Sequence, residues 1–486
     1  MQLDVLRNDA QTEVGSYFVA NYPPFSAWGR EHLPTAQAAL SGAFRVASSE
    51  LNSDHDDYSL LATRYSALGL YLHIPFCRKR CKFCYFRVYT DKNADEVELY
   101  MDALAREIAL YKNQPALAGR QFEFVYFGGG TPSFLSSAQL SRLVERINQH
   151  WTWEAAREVT FECEPGTLKK SKLETIRSIG VTRLSLGVEH FDDGILELNG
   201  RAHRSKEIGV AYEWAREVGF PQINIDLIAG MLGDDESKWK AAVERAVAMQ
   251  PDSVTIYQME LPHNTVISRE AKDSGVAPAI VGWAAKRAWT AYAFEQFERA
   301  GYVVSSGYTL VRAQAAGRKP ERNSETTGWK PIPHQPADSE GRAAGGGFVY
   351  RDALWHGGDM IGTGVASFSH VAGVHFQNLD KWDEYVAAIQ RGELPLARAL
   401  PMTPRQRLIR ELALQTKLGR LDAAYFRSKF GVEIAAEFGE AIDSLVADGF
   451  ATACGDEIRL TRDGLLRVDA LLPRFFEPQF RSVRYT

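Results

Sequence analysis

Between residues 66 and 258, short apolar runs alternate with stretches in which apolar side chains recur every three or four positions. The runs 69–74, 122–127, 158–162, 183–188, 223–228 and 253–258 read as strands buried on both faces. In the first intervening stretch, 94–111, Val97, Met101, Leu104 and Ile108 fall on one face of a helix. Further amphipathic helices are expected near 137–149, 171–179, 205–218 and 237–249. Strand–helix alternation of this kind predicts an α/β fold with a parallel sheet. Six such units fall short of the eight that close a TIM barrel, so the pattern predicts an open (β/α)6 partial barrel. In barrels of this type ligands sit at the C-terminal ends of the strands.

The pattern changes outside this core. Residues 1–65 form a separate N-terminal segment, in which Asn21-Tyr22-Pro23-Pro24-Phe25-Ser26-Ala27-Trp28 is expected to be extended rather than helical. The core barrel is assigned to 66–310, a flexible insertion to 311–347, and a barrel-closing region to 348–400. The insertion carries Pro320, Pro331, Pro333, Pro336 and Gly345-Gly346-Gly347 with few apolar anchors. Residues 401–486 read as a mainly helical C-terminal domain, winged-helix-like, closing in a hairpin formed by 458–460 and 461–464.

Composition narrows the function classes. At 486 residues the chain is long enough for a large barrel and an accessory domain. A net charge of −5 gives no electrostatic footprint for nucleic acid or an anionic membrane. No apolar run approaches the roughly 20 residues of a membrane span, and Met1–Asp9 lacks the apolar core of a signal peptide. Five cysteines argue against a disulfide framework and for a reducing compartment. A soluble cytoplasmic protein is the expectation.

Three of those cysteines, Cys77, Cys81 and Cys84, follow the first strand in the spacing C-x3-C-x2-C. Three thiolates can hold three irons of a [4Fe–4S] cluster and leave the fourth open to a ligand. A C-x2-C pair also suits zinc, but no second pair follows at finger spacing. Cys163 and Cys454 read as ordinary core or surface cysteines. The second strand ends in Phe127-Gly128-Gly129-Gly130-Thr131-Pro132-Ser133, where missing Cβ atoms let the backbone approach a ligand.

The three-cysteine loop and the glycine run after it resemble the signature of radical S-adenosylmethionine (SAM) enzymes. With Tyr71–Cys77, Glu162-Cys163-Glu164-Pro165, Arg183–Val188 and Asn224–Ile228, they resemble the oxygen-independent coproporphyrinogen III oxidase-like family. Its relatives include haem chaperones, anaerobic haem-degrading methyltransferases and class C radical SAM methyltransferases. The resemblance implies a [4Fe–4S] cluster on Cys77, Cys81 and Cys84, with SAM on the open iron, and a second SAM nearby. By position, Tyr71, Gly129 and Glu162 match contacts to the first SAM, Glu162 being the catalytic candidate, and Phe368 replaces an aliphatic contact. Phe83, Gly130, Thr131, Arg201 and Asp226 match contacts to the second, although Arg201 and Asp226 also suit a structural pair. Glu189 stands where the family usually has glutamine; it keeps the acceptor and loses the amide donor.

The implied activity is radical abstraction of a hydrogen from a propionate β-carbon of a tetrapyrrole. Loss of CO2 and one electron then leaves a vinyl group. An external one-electron donor is implied; neither nucleic acid nor membrane is expected as a partner. Class C methyltransferases or cyclopropanases share the same cofactor contacts, and a haem chaperone is a third reading. Several positions depart from the oxidase. Tyr85-Phe86 replaces Gly-Cys, Glu260 replaces a small residue, and 348–355 does not match the Asn-Phe-Gln-Gly segment linked to oxidase activity. Tyr350 stands where chaperones carry their haem-binding histidine. His73 and His190 lie near the barrel mouth, where histidine can donate protons, but His73 belongs to the family's strand motif and reads as structural.

Overall fold

The computed structural model describes residues 18–44, 67–313 and 347–483. Six parallel strands run in sequence order: β1 (Leu68–Ile74), β2 (Phe124–Gly129), β3 (Glu158–Cys163), β4 (Arg183–Glu189), β5 (Gln222–Ala229) and β6 (Ser253–Gln258). Helices Ala94–Lys112, Ser137–Asn148, Lys170–Ser178, Ser205–Val218 and Glu236–Met249 connect them. The open (β/α)6 architecture expected from the pattern is the one observed. Capping boxes at Asn93/Glu96 and Ser136/Gln139 fix where the first two helices begin.

The sheet extends beyond the barrel on both sides. Past β6 lie the antiparallel strands β7 (Tyr302–Val304) and β8 (Thr309–Arg312). Past β1 come β9 (Asp359–Thr363), parallel to it, then the antiparallel β10 (Phe368–Val371), β11 (Val374–Asn378) and β12 (Leu396–Pro401). Among the described residues these make one twelve-stranded sheet. Buried Glu107, on the helix after β1, ties this extension to the barrel. It accepts from Gly364 N and Tyr385 Oη at 2.7 Å each and from Asn378 Nδ2 at 2.6 Å.

Two expectations need correction. The C-terminal hairpin pairs β14 (Ala451–Cys454) with β15 (Glu457–Leu460), beside β13 (Arg420–Asp422). Residues Arg462–Leu466 form a helix, because Thr461 caps it by accepting from Gly464 N. The stretch 21–28 is not extended throughout: Phe25–Ala27 closes a 3-10 turn, followed by a helix at Leu33–Leu40. Nearly all of the 311–347 insertion, residues 314–346, lies outside the described residues. No helix among the described residues is long and apolar enough to cross a membrane.

Candidate active site

The loop after β1 is closed at its base, where Phe76 and Tyr89 bridge and Cys77 N donates to Tyr89 O at 3.0 Å. Inside it, Cys84 N donates to Cys81 O at 3.2 Å, closing a turn between the last two cysteines. Thr131 Oγ1 donates to Cys77 Sγ and Arg201 Nη1 to Cys81 Sγ, each at 3.3 Å. The loop is braced from β3 by Glu164, which accepts from Arg78 Nη2 at 2.8 Å and meets His203 Nδ1 at 3.0 Å. Burial opposes ionisation of Glu164, but His203, Arg201 and Arg78 hold its carboxyl down at about 2.

The thiols line one cavity of about 440 Å³ at the C-terminal ends of the strands. Gly129, Gly130, Thr131, Phe83, Glu162, Glu189, Arg201 and Asp226 line the same space. Glu162 accepts from Tyr126 Oη at 2.7 Å and from Gly129 N at 3.2 Å; burial raises its pKa. Asp226 accepts from Ser185 Oγ and Asn224 Nδ2 at 2.9 Å each, and burial, then Glu189, pushes it up to about 8. Arg201 therefore does not pair with Asp226: its Nη1 lies 3.5 Å from Glu189 Oε1, and its Nη2 donates to Gly187 O at 2.6 Å.

Two of the residues singled out from the sequence stand apart from the cavity wall. Tyr71 lies behind Tyr126, with ring centroids 5.9 Å apart, and its hydroxyl meets His73 Nδ1 at 3.2 Å. Phe368 stacks on Phe25 at 4.3 Å and packs edge-on to Trp28. His73 is buried, which pushes it down to about 4. His190 is fully buried 3.4 Å from Asp234. Sequence reasoning missed the far wall, made of Phe18, Tyr257, Tyr308 and Asp469. These residues belong to separate stretches of chain, and no local spacing announces that they meet.

The donor set fits an iron–sulfur cluster. Burial pushes the Cys77 thiol up to about 11 and the Cys84 thiol up to about 12, so their thiolates call for a bound positive group. A [4Fe–4S] cluster takes one thiolate on each of three irons, which three separate cysteines on one loop can supply. The buried Nε of Arg201 has no hydrogen-bond partner among the described residues, as at a site completed by a bound group.

Residues 71–246 match the family described as the radical SAM superfamily. Those residues form a radical SAM domain. A [4Fe–4S] cluster and SAM are the cofactors of that domain. The chain is 26% identical over 409 residues to the oxygen-independent coproporphyrinogen III oxidase of Escherichia coli (strain K12), covering 83% of this chain and 80% of that one. It is 33% identical over 198 residues to the heme chaperone HemW of Bacillus subtilis (strain 168), covering 40% and 51%. The structure of E. coli coproporphyrinogen III oxidase (HemN) superposes with a TM-score of 0.72 at 22% identity, over 94% of this chain and 96% of that one. That likeness shows a shared fold across nearly the whole chain.

Proposed function

We propose that this radical SAM protein is an enzyme that oxidatively decarboxylates a propionate-bearing tetrapyrrole, as coproporphyrinogen III oxidase does. One observation carries the reading. Elements flanking the six parallel strands wall the cavity beside the thiols: Phe18 from the N-terminal segment, Tyr308 after β7, and Asp469 near the C-terminus. Aromatic side chains make much of that wall, among them Phe83, Tyr85, Phe86, Tyr126, Tyr257 and Tyr350, and suit a flat apolar ring system.

In this reading Cys77, Cys81 and Cys84 hold the cluster. Gly129, Glu162 and the neighbouring Tyr71 form the cradle for the SAM on it. Phe83, Gly130, Thr131, Glu189, Arg201 and Asp226 border the space for a second SAM. Phe368, packed on Phe25 and Trp28, stands outside the cavity lining. When bound, the cluster and SAM supply a one-electron cleavage that yields a 5′-deoxyadenosyl radical able to take a hydrogen atom from carbon. The chain's own residues bind and orient. Glu162, fixed by Tyr126 and Gly129 N, offers an acceptor to an ammonium group; Asp226 holds a proton into the neutral range and offers a hydrogen bond to a ribose hydroxyl. The tyrosines exclude water from the radical's path. An external one-electron donor reduces the cluster, a separate one-electron acceptor takes the electron released with CO2, and the reducing cytoplasm is the compartment.

The test is product analysis. Protein loaded anaerobically with iron and sulfide is given SAM, a reductant and coproporphyrinogen III, and the products are weighed by mass spectrometry. Two successive losses of CO2 and two hydrogens, with 5′-deoxyadenosine, are expected. Deoxyadenosine with no decarboxylation overturns the oxidase reading and directs the search to methyl transfer.

A further inference from the structure

Arg201 is built onto the thiol loop. The stretch Asn199–Arg201 follows the short helix Asp193–Leu198, and its backbone lies directly against the loop. Lys82 N donates to Asn199 O at 2.9 Å, and a Cβ on Gly200 would meet Arg80 O and Lys82 N at 3.3 Å each. The base of Arg201 is fixed by its own N–H on Leu196 O at 2.9 Å, and its tip by Nη2 on Gly187 O at 2.6 Å. Nη1 then meets Cys81 Sγ at 3.3 Å. Glu189 Oε1 reaches the same Nη1 at 3.5 Å, from a backbone with φ of 63° that turns its side chain back toward Arg201. The side chains of Arg201 and Glu189 are only 10% and 12% exposed, so water screens the pair weakly. A buried cation thus touches a cysteine sulfur, and a buried carboxylate touches that cation.

We propose that Arg201 and Glu189 form a counter-ion pair that sets the reduction potential of the cluster held by Cys77, Cys81 and Cys84. The inference rests on the cluster assignment above. An electron entering the cluster adds negative charge; a neighbouring cation and an N–H···S hydrogen bond stabilise the reduced form more than the oxidised one. Arg201 therefore raises the potential. Glu189 works against it by cancelling part of the guanidinium charge. Thr131 Oγ1, on Cys77 Sγ at 3.3 Å, acts in the direction of Arg201 through its hydrogen bond alone. The pair makes the cluster easier or harder for an external donor to reduce without touching the substrate.

Opposite signs for the two partners make the idea testable. Wild type, Arg201→Gln, Arg201→Lys and Glu189→Gln are loaded with iron and sulfide, matched for iron content, and titrated without SAM while the reduced cluster is followed by EPR. At the poise where wild type is half reduced, Arg201→Gln should show about a tenfold lower ratio of reduced to oxidised cluster, a shift of about 59 mV for one electron. Glu189→Gln should raise that ratio, and Arg201→Lys should recover part of the loss. Equal midpoints across fully loaded variants would overturn the proposal, as would Arg201→Gln and Glu189→Gln shifting in the same direction. Wild type that takes up iron but gives no cluster signal would instead defeat the cluster assignment.

Discussion

At Gly130 the constraint comes from backbone on every side. A Cβ there would lie 2.9 Å from Ile74 O and Phe76 O, the two carbonyls that accept from Gly130 N and Thr131 N. No flexible side chain can yield, so Gly130→Ala must push the glycine run away from the thiol loop. It should cost about 1–3 kcal/mol of stability, and iron uptake on reconstitution should fall well below wild type. Wild-type iron content and an unchanged melting midpoint in Gly130→Ala would show that the two loops move freely. The cysteine spacing and the glycine run were legible in the sequence because their chemistry is local. The partners of Arg201 were not. A guanidinium expected to contact a second SAM or to pair with Asp226 lies against Cys81, Gly187 and Glu189, a placement made by where the chain after Leu198 lies on the loop.

At the scale of elements, the six barrel strands were readable because both faces are buried and apolar residues run through them continuously. The strands β9–β12 were not, since polar residues such as Ser369, His370, His375 and Asn378 are themselves buried there, and the pattern gives no alternation to follow. Glu107 compensates by joining this extension to the helix after β1. Glu107→Ala leaves three buried donors without their acceptor and should cost about 3 kcal/mol or more, read by chemical denaturation. Its pH dependence has a definite sign. Burial raises the folded pKa of Glu107 to about 8, above an unfolded value of about 4.3, so the folded state binds the extra proton. Its contribution is fully present below pH of about 4 and is lost as pH rises through about 8. Stability should therefore decline across that window in wild type, and less steeply in Glu107→Gln. Parallel profiles would show that Glu107 carries no proton in the fold.

On the scale of the whole molecule, chain from the N-terminal side, from the sheet and from the C-terminal helices meets at one buried lysine. Lys417 pairs with Asp469 at 2.9 Å, donates to Val19 O at 2.6 Å and lies 3.9 Å over the Phe18 ring. Asp469 accepts from Val19 N at 2.9 Å and from Tyr308 Oη, while Glu260 beyond β6 accepts from Phe18 N at 2.5 Å. Both backbone N–H groups of Phe18 and Val19 thus end on carboxylates, and the carbonyl of Val19 on an ammonium. Burial, then Asp469, pushes Glu260 up to about 8, and Lys417 is the counter-ion that Asp469 meets in this cluster. Lys417→Met preserves length and apolar contact but strands Asp469 without its counter-ion. Breaking a buried pair from one side costs about 3–5 kcal/mol. The loss should appear as a lower melting midpoint and as faster hydrogen exchange at the amides of Phe18 and Val19, ahead of any change in the strands of the barrel. Lys417→Met/Asp469→Asn, which removes both charges, should recover much of the stability. If Lys417→Met exchanges like wild type at those two amides, the lysine does not anchor the N-terminal segment, and Phe18 keeps its place on the cavity wall through Glu260 and Tyr308 alone.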